Sequence, residues 1–301
     1  MDTSTEKGPF LTAQPQKQVR QPFRQQAQRV SGGRFTGKVA LITGSESGIG
    51  RETARELASQ GAYVMLNGLR PERLAETLSS FHEAGYVAEA CVADVTDFAA
   101  CQRLVDETIV AFGQLDILVA NASISMRAYF NDLDIEVFRA VCDSNIYGTV
   151  YPLKAALPHL QASKGCVTFV SSISSLNGIP SGSAYCAGKA AVSNLAHTLR
   201  LEWHKTGMHV GVIHLGFTAN DPEKRVFAAN GEPVLMAHRP PRWQMSQKEV
   251  AQAIARHIYR RRAKTVLTGM GKLNAALSRF FPGLVDRIVL LSMKLRPELY
   301  E

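Results

Sequence analysis

No run of about 18 consecutive apolar residues occurs in the 301-residue chain, which excludes an encoded helix long enough to span a bilayer. Cysteine is scarce: Cys91, Cys101, Cys142, Cys166 and Cys186 are an odd number, with no Cys-x-x-Cys pair. With no apolar leader in the first 40 residues, this pattern argues against a disulfide framework and for a reducing, cytoplasmic setting. The eight histidines show no ligand spacing, so no metal is expected and none of them receives a role. Aromatics are few, at 8%, and no basic stretch interleaves with them, which argues against a nucleic-acid groove.

Cationic charge, by contrast, is present but uneven. Residues 1–38 hold 7 Lys/Arg against 2 acids and residues 239–301 hold 13 against 4, while the middle holds 14 against 20. The net +8 therefore belongs to the two ends of a mildly acidic body. Residues 1–35, rich in Gln, Arg and Pro, have too little apolar surface to offset ordering entropy and read as a disordered basic tail.

From Lys38 the chain becomes regular. Short apolar runs at Val39–Ile42, Ala62–Leu66, Val87–Val92, Leu115–Ala120, Cys166–Val170 and Val210–Leu215 read as strands. Helical patterns separate them at Arg51–Gln60, Pro71–Ala84, Phe98–Phe112, 132–162 and Ala184–Lys205. This alternation predicts an α/β fold with a doubly wound parallel sheet, its ligands beyond the carboxyl ends of the strands. One domain is expected over residues 36–270. Residues 217–245 lack periodicity and read as a lid over an apolar substrate, with a self-packed surface loop as the alternative.

Helix Gln247–Arg262 and a last strand Lys264–Thr268 follow that stretch, and residues 271–301 then read as a C-terminal helical extension. The extension comprises short apolar helices at Leu273–Phe281 and Leu284–Leu295. Packing on the core, a dimer contact and an amphipathic foot on an anionic membrane are three open readings of it.

Two constellations carry chemistry. The first strand runs into Thr43-Gly44-Ser45-Glu46-Ser47-Gly48-Ile49-Gly50. Its glycines let the backbone approach a pyrophosphate, and the following helix aims its N-terminus at the anion. The second is Tyr185-Cys186-Ala187-Gly188-Lys189, in which tyrosine and lysine stand one helical turn apart on one face. A lysine charge about 4 Å from a phenol is worth on the order of 4 kcal/mol at an effective dielectric near 20, enough to pull the phenol from about 10 toward neutrality. Cys186 lies on another helix face and reads as a small buried hydrophobe.

The spacing Thr-Gly-x-x-x-Gly-Ile-Gly, followed by Tyr-x-x-x-Lys, resembles the short-chain dehydrogenase/reductase family over about residues 36–269. The C-terminal extension is similar to that of its hydroxysteroid-dehydrogenase-like members. The resemblance implies a Rossmann fold, a homodimer or homotetramer, and hydride exchange between a nicotinamide dinucleotide and a small carbonyl or alcohol. It also implies a catalytic set of Asn145, Ser172, Tyr185 and Lys189. For the cofactor it implies contacts from Gly44, Ser45, Ser47, Gly48, Ile49 and Gly50, from Asp94 and Val95 at the adenine, from Asn121, Tyr185 and Lys189, and from Thr218. Ala120-Asn121-Ala122-Ser123 departs from the family's Asn-Asn-Ala-Gly, and Leu215-Gly216 replaces its Pro-Gly. Because Asn67-Gly68-Leu69-Arg70 presents no acid and one arginine, NADP is expected, with NAD as the alternative. A catalytically silent cofactor sensor on the same fold is the competing reading, and its sign would be a broken tetrad.

Overall fold

The computed structural model describes residues 32–236, 244–297 and 300. Most of the expected basic tail and part of the expected lid lie outside the described residues. The folded body begins earlier than residue 36: Phe35 is buried and meets Tyr259 edge-on at 6.3 Å.

The strands are β1 (Val39–Ile42), β2 (Tyr63–Gly68), β3 (Ala88–Val92), β4 (Ile117–Ala120), β5 (Cys166–Ser172), β6 (His209–Leu215), β7 (Arg225–Phe227), β8 (Pro233–Leu235) and β9 (Lys264–Val266). The helices are α1 (Gly48–Ser59), α2 (Pro71–Glu83), α3 (Phe98–Phe112), α4 (Ile135–Ala162), α5 (Ser183–Glu202), α6 (Gln247–Tyr259), α7 (Gly269–Phe280) and α8 (Pro282–Leu295). Seven strands form one parallel sheet in the order β3-β2-β1-β4-β5-β6-β9.

Strand alternation explains the two layers. Ala40 and Ile42 face one side, where they join Leu57 of α1, Leu74 of α2 and Ile254 of α6. Val39 and Leu41 face the other, with Leu104 of α3, Leu160 of α4 and Val192 of α5. Because both faces are covered, every position of β1 and β4 is apolar, and each large side chain so buried contributes roughly 1.5–3 kcal/mol. The chain winds outward from β1 in one direction and from β4 in the other. The crevice between their carboxyl ends is the place where such sheets take ligands.

Several boundaries differ from the sequence reading, each for a local reason. Helix α1 starts at Gly48 rather than Arg51, because Ser47 is extended and the three residues after it are already helical. Helix α6 ends at Tyr259, since Arg261 adopts a left-handed φ of 45°. The stretch after Leu215 is not irregular throughout: β7 and β8 pair as an antiparallel hairpin. Helix α7 begins at Gly269, capped by Thr268, whose hydroxyl accepts from the Gly271 amide. Among the described residues, no helix is long and apolar enough to cross a membrane.

Candidate functional site

A cleft of about 800 Å³ opens at the carboxyl ends of β1, β4, β5 and β6. The glycine turn makes one wall. Gly44 and Gly48 adopt left-handed φ of 63° and 59°, which disfavours any side chain there. A Cβ on Gly44 would stand 2.9 Å from the Ala122 backbone, and one on Gly50 would collide with the Gly44 carbonyl. Asn121 ties β4 to this turn, its amide donating to the carbonyls of Thr43 and Gly44 at 3.0 and 3.1 Å. Asn67 ties in β2 and β3, accepting from Gly44 N and donating to Cys91 and Ala93 carbonyls.

Gly44, Ser47, Gly48, Ile49, Gly50, Arg70, Asp94, Val95, Asn121 and Thr218 all border the cleft. Ser45 does not. Its hydroxyl donates to the Ile42 carbonyl and its amide to Asn67 O, so it fastens the turn from behind and offers a ligand nothing. Asp94 is held by Thr96, whose amide and hydroxyl donate to Oδ1.

The arginine expected to meet a 2′-phosphate is already paired. Glu46, inside the glycine turn, accepts from Arg70 N at 2.9 Å and from its Nε at 2.6 Å. Glu46 is 8% exposed and packs where a Cβ on Gly68, the last residue of β2, would stand. No acid ends β2, as the sequence reads, but the turn after β1 brings this carboxylate to the same place. Asp221 makes a second such arrangement. Its Oδ2 accepts from the Gly48 amide at 3.1 Å, and Arg51 and Arg73 approach its two oxygens at 3.6 Å each.

The opposite wall holds the other constellation. Tyr185 and Lys189 lie on the first turns of α5, as the spacing predicts, with Lys189 Nζ 5.7 Å from the centroid of the Tyr185 ring. Lys189 is buried, donates to the Val170 carbonyl at 3.1 Å, and is lowered from 10.5 to about 7, first by burial and then by the charge of Lys224. Ser172 ends β5, and its Oγ accepts from the Ser174 amide at 3.2 Å. Ser172, Tyr185 and Lys189 thus share one cleft wall.

Asn145 stands one layer back, fully buried in α4. Its amide donates to the carbonyls of Ile124 and Val141, and its Oδ1 accepts from the Ser123 hydroxyl at 2.8 Å. Ser123 therefore links Asn145 to the cleft, which it itself borders.

Four further residues escaped the sequence reading. Glu46 and Asp221 are two of them. His214 is the third: its Nδ1 lies 2.9 Å from Ser175 Oγ and 3.3 Å from the Ser172 carbonyl. Burial lowers it to about 4, so it is neutral at physiological pH and braces Ser172 from behind. Arg127 is the fourth, beyond β4, with its backbone amide held by the Phe227 carbonyl at 2.8 Å. Cys186 borders the cleft after all, but burial raises its thiol and Ile179 N donates to its Sγ, so it stays protonated and unreactive. Among the described residues no cluster of His, Cys, Asp and Glu forms a metal site.

Against known proteins, the short chain dehydrogenase family profile matches residues 38–231. The chain is 36% identical over 233 residues to an 11-beta-hydroxysteroid dehydrogenase-like 4A of Arabidopsis thaliana, covering 75% of each chain. It is 34% identical over 223 residues to a cis-4-hydroxycyclohexanecarboxylate dehydrogenase of Sinomonas cyclohexanicum, covering 73% of this chain and 89% of that one. The fold matches a short chain dehydrogenase/reductase from Burkholderia phymatum in complex with NAD, with a TM-score of 0.74 at 23% identity over 83% of this chain and 96% of the other.

Proposed function

Because the chain belongs to the short-chain dehydrogenase/reductase family, we propose that it oxidises a secondary alcohol or reduces a ketone, with Tyr185 as general acid and base. The observation that carries this reading is the buried Lys189 amine beside the Tyr185 ring, across the cleft from the glycine turn. The glycine turn, the N-terminus of α1 and Asn121 form a cradle that fits a nicotinamide dinucleotide, which supplies the hydride acceptor or donor when bound.

The chain's own part is proton transfer and placement. Tyr185 gives its proton to a carbonyl oxygen or takes one from an alcohol, and a protonated Lys189 favours the phenolate that results. Ser172 Oγ donates to the same substrate oxygen, held in place by the Ser174 amide and by His214 behind it. Asn145, reaching the cleft through Ser123, steadies the segment after β4. A panel of ketones and secondary alcohols followed by nicotinamide absorbance tests the assignment. Silence across the panel with both NADH and NADPH defeats it.

For the cofactor, Arg70 led to the expectation of NADP, but its charge is offset by Glu46, and Arg51 and Arg73 face Asp221. A 2′-phosphate would meet a buried carboxylate at the end of β2, whereas ribose hydroxyls can donate to it. NAD(H) is therefore the favoured partner. Glu46→Gln should raise the NADPH-to-NADH ratio of kcat/KM by about 10- to 100-fold, the size of a repulsion of roughly 1–3 kcal/mol. An unchanged ratio rejects this role for Glu46.

The C-terminal helices favour the membrane reading over the other two. On α8, Leu284, Ile288, Leu291 and Leu295 are all about half exposed or more and follow helical spacing along one side. Residues 269–296 carry five cations and one acid, Asp286. A second copy laid on the same face would bring those cations together, while anionic lipid would pair with them. Ile288→Glu with Leu291→Glu should abolish co-sedimentation with phosphatidylserine vesicles, and salt should weaken that of the unmodified protein. Sedimentation indifferent to both changes eliminates the membrane contact.

A further inference from the structure

Arg127 is the one strongly basic group beside Tyr185 that the proposed mechanism does not use. It borders the cleft, and burial lowers its guanidinium below the ordinary value. Among the described residues no carboxylate lies within ion-pair distance of it, and no acceptor takes a hydrogen bond from its side chain. The ionisable groups it senses are Tyr185 and Cys186, a phenol and a thiol rather than a carboxylate. Arg127 is partly buried at the cleft, and a partly desolvated cation without a counter-charge gains when an anionic ligand completes the pair.

The surroundings complete a receptor for an anion. Arg127 Nη1 stands 3.6 Å from where a Cβ on Gly182 would be, which places it against the N-cap of α5. That 20-residue helix has no side-chain cap, so its first amides and dipole favour negative charge at the same spot. Ser174, 4% exposed and on the cleft wall, has an Oγ that meets no nitrogen or oxygen partner among the described residues and interacts with the Cys186 thiol. The backbone around Arg127 is clamped on both sides, by Phe227 of the hairpin and by Ser181, which accepts from Ala128 N at 3.1 Å. The backbone that carries the guanidinium is thereby fixed, which limits the entropy lost when the side chain engages a ligand.

We propose that Arg127, with the Ser174 hydroxyl and the start of α5, binds a carboxylate on the substrate, so that the enzyme acts on oxo or hydroxy carboxylic acids. The planar fork of arginine matches a carboxylate in two parallel hydrogen bonds. The site lies beside Tyr185 and away from the glycine turn, so it orients substrate and leaves the dinucleotide's phosphates to α1. This assignment rests on the oxidoreductase reading above and adds a carboxylate to the apolar carbonyl or alcohol expected from the sequence.

The test is a matched series: straight-chain oxo acids from 4-oxopentanoate to 8-oxononanoate, each with its methyl ester. At the best chain length the acid should exceed its ester in kcat/KM by about 30- to 100-fold, the range of a charged hydrogen bond of roughly 2–3 kcal/mol. Arg127→Met should erase that preference while leaving the esters within about threefold, and Arg127→Lys should restore part of it. Calorimetry supplies a readout independent of turnover: hexanoate should bind the unmodified protein at least about 30-fold more tightly than hexanamide, and Arg127→Met should lose the difference. Acid and ester used equally well, or a preference that survives Arg127→Met, overturns the carboxylate site while the dehydrogenase reading stands. No turnover of any carbonyl or alcohol, with Arg127-dependent hexanoate binding retained, overturns the dehydrogenase reading and leaves the anion site standing.

Discussion

Tyr185→Phe is expected to lower turnover by about 10²- to 10⁴-fold, the range contributed by a positioned general acid or base. The substitution removes one oxygen and keeps the ring, so the first turn of α5 and its contact with Lys189 remain. Cofactor affinity, measured by nucleotide fluorescence, should change by no more than a few fold. That split separates proton transfer from binding: a purely structural tyrosine would disturb both or neither. Turnover within threefold of the unmodified enzyme would falsify the assignment of Tyr185 as the proton donor. The silent-sensor alternative makes a different forecast, since it requires dinucleotide binding with no turnover in the unmodified protein.

Lys189→Met should produce the second large effect, in two directions at once. Activity should fall by at least about 10²-fold, because the charge that favours the Tyr185 phenolate is gone. The ligand-free protein, however, should become more stable at pH 7. Lys189 is 4% exposed and lowered from 10.5 to about 7, so folding forces an ammonium toward its neutral form. The unfolded chain binds the proton more tightly between those values, and this group's contribution to stability therefore rises with pH there, by up to about 1.4 kcal/mol per pH unit. Below about pH 7 the penalty is fully present, and near 10.5 it has vanished.

Methionine removes the penalty at all pH values but leaves the Val170 carbonyl without its donor, which costs about 1–3 kcal/mol. The net gain at pH 7 should be on the order of 1–3 kcal/mol. Denaturant melts of both proteins from pH 6 to 9 check the sign, because the advantage of the variant must shrink as pH rises. An advantage that grows with pH, or a variant less stable at pH 6, contradicts the burial argument. The buried lysine would then be an instance of stability given up for catalysis.

Both forecasts concern residues that could be read directly from the sequence, and the reason is geometric. Tyr185 and Lys189 stand one helical turn apart, so spacing alone places them on one face. The glycine turn is legible on the same ground, because strand, turn and helix follow one another without interruption. The alternating apolar runs are equally local and determine a parallel sheet covered on both faces. What spacing could not show is which groups meet across the cleft. Glu46 and Arg70 are 24 residues apart, His214 and the Ser172 carbonyl 42, and Gly48 and Asp221 173. The end of β2 carries no acid, as its residues read, but Glu46 reaches the same place from the turn after β1. Ser45, grouped with its neighbours in the glycine turn, faces inward for a similar reason, since a tight turn sends successive side chains in different directions.

The chain's own order of residues was thus enough to determine the sheet, the dinucleotide cradle and the phenol–ammonium pair, because each depends on a period of two, on a helical turn or on one continuous bend. Tertiary structure alone decided how charge is distributed around them: Arg70 neutralised by Glu46, the α1 amide at Gly48 capped by Asp221, and Arg127 without a carboxylate among the described residues. Electrostatic interaction depends on distance in space and on the exclusion of water, and neither quantity is written in the spacing of residues along a chain.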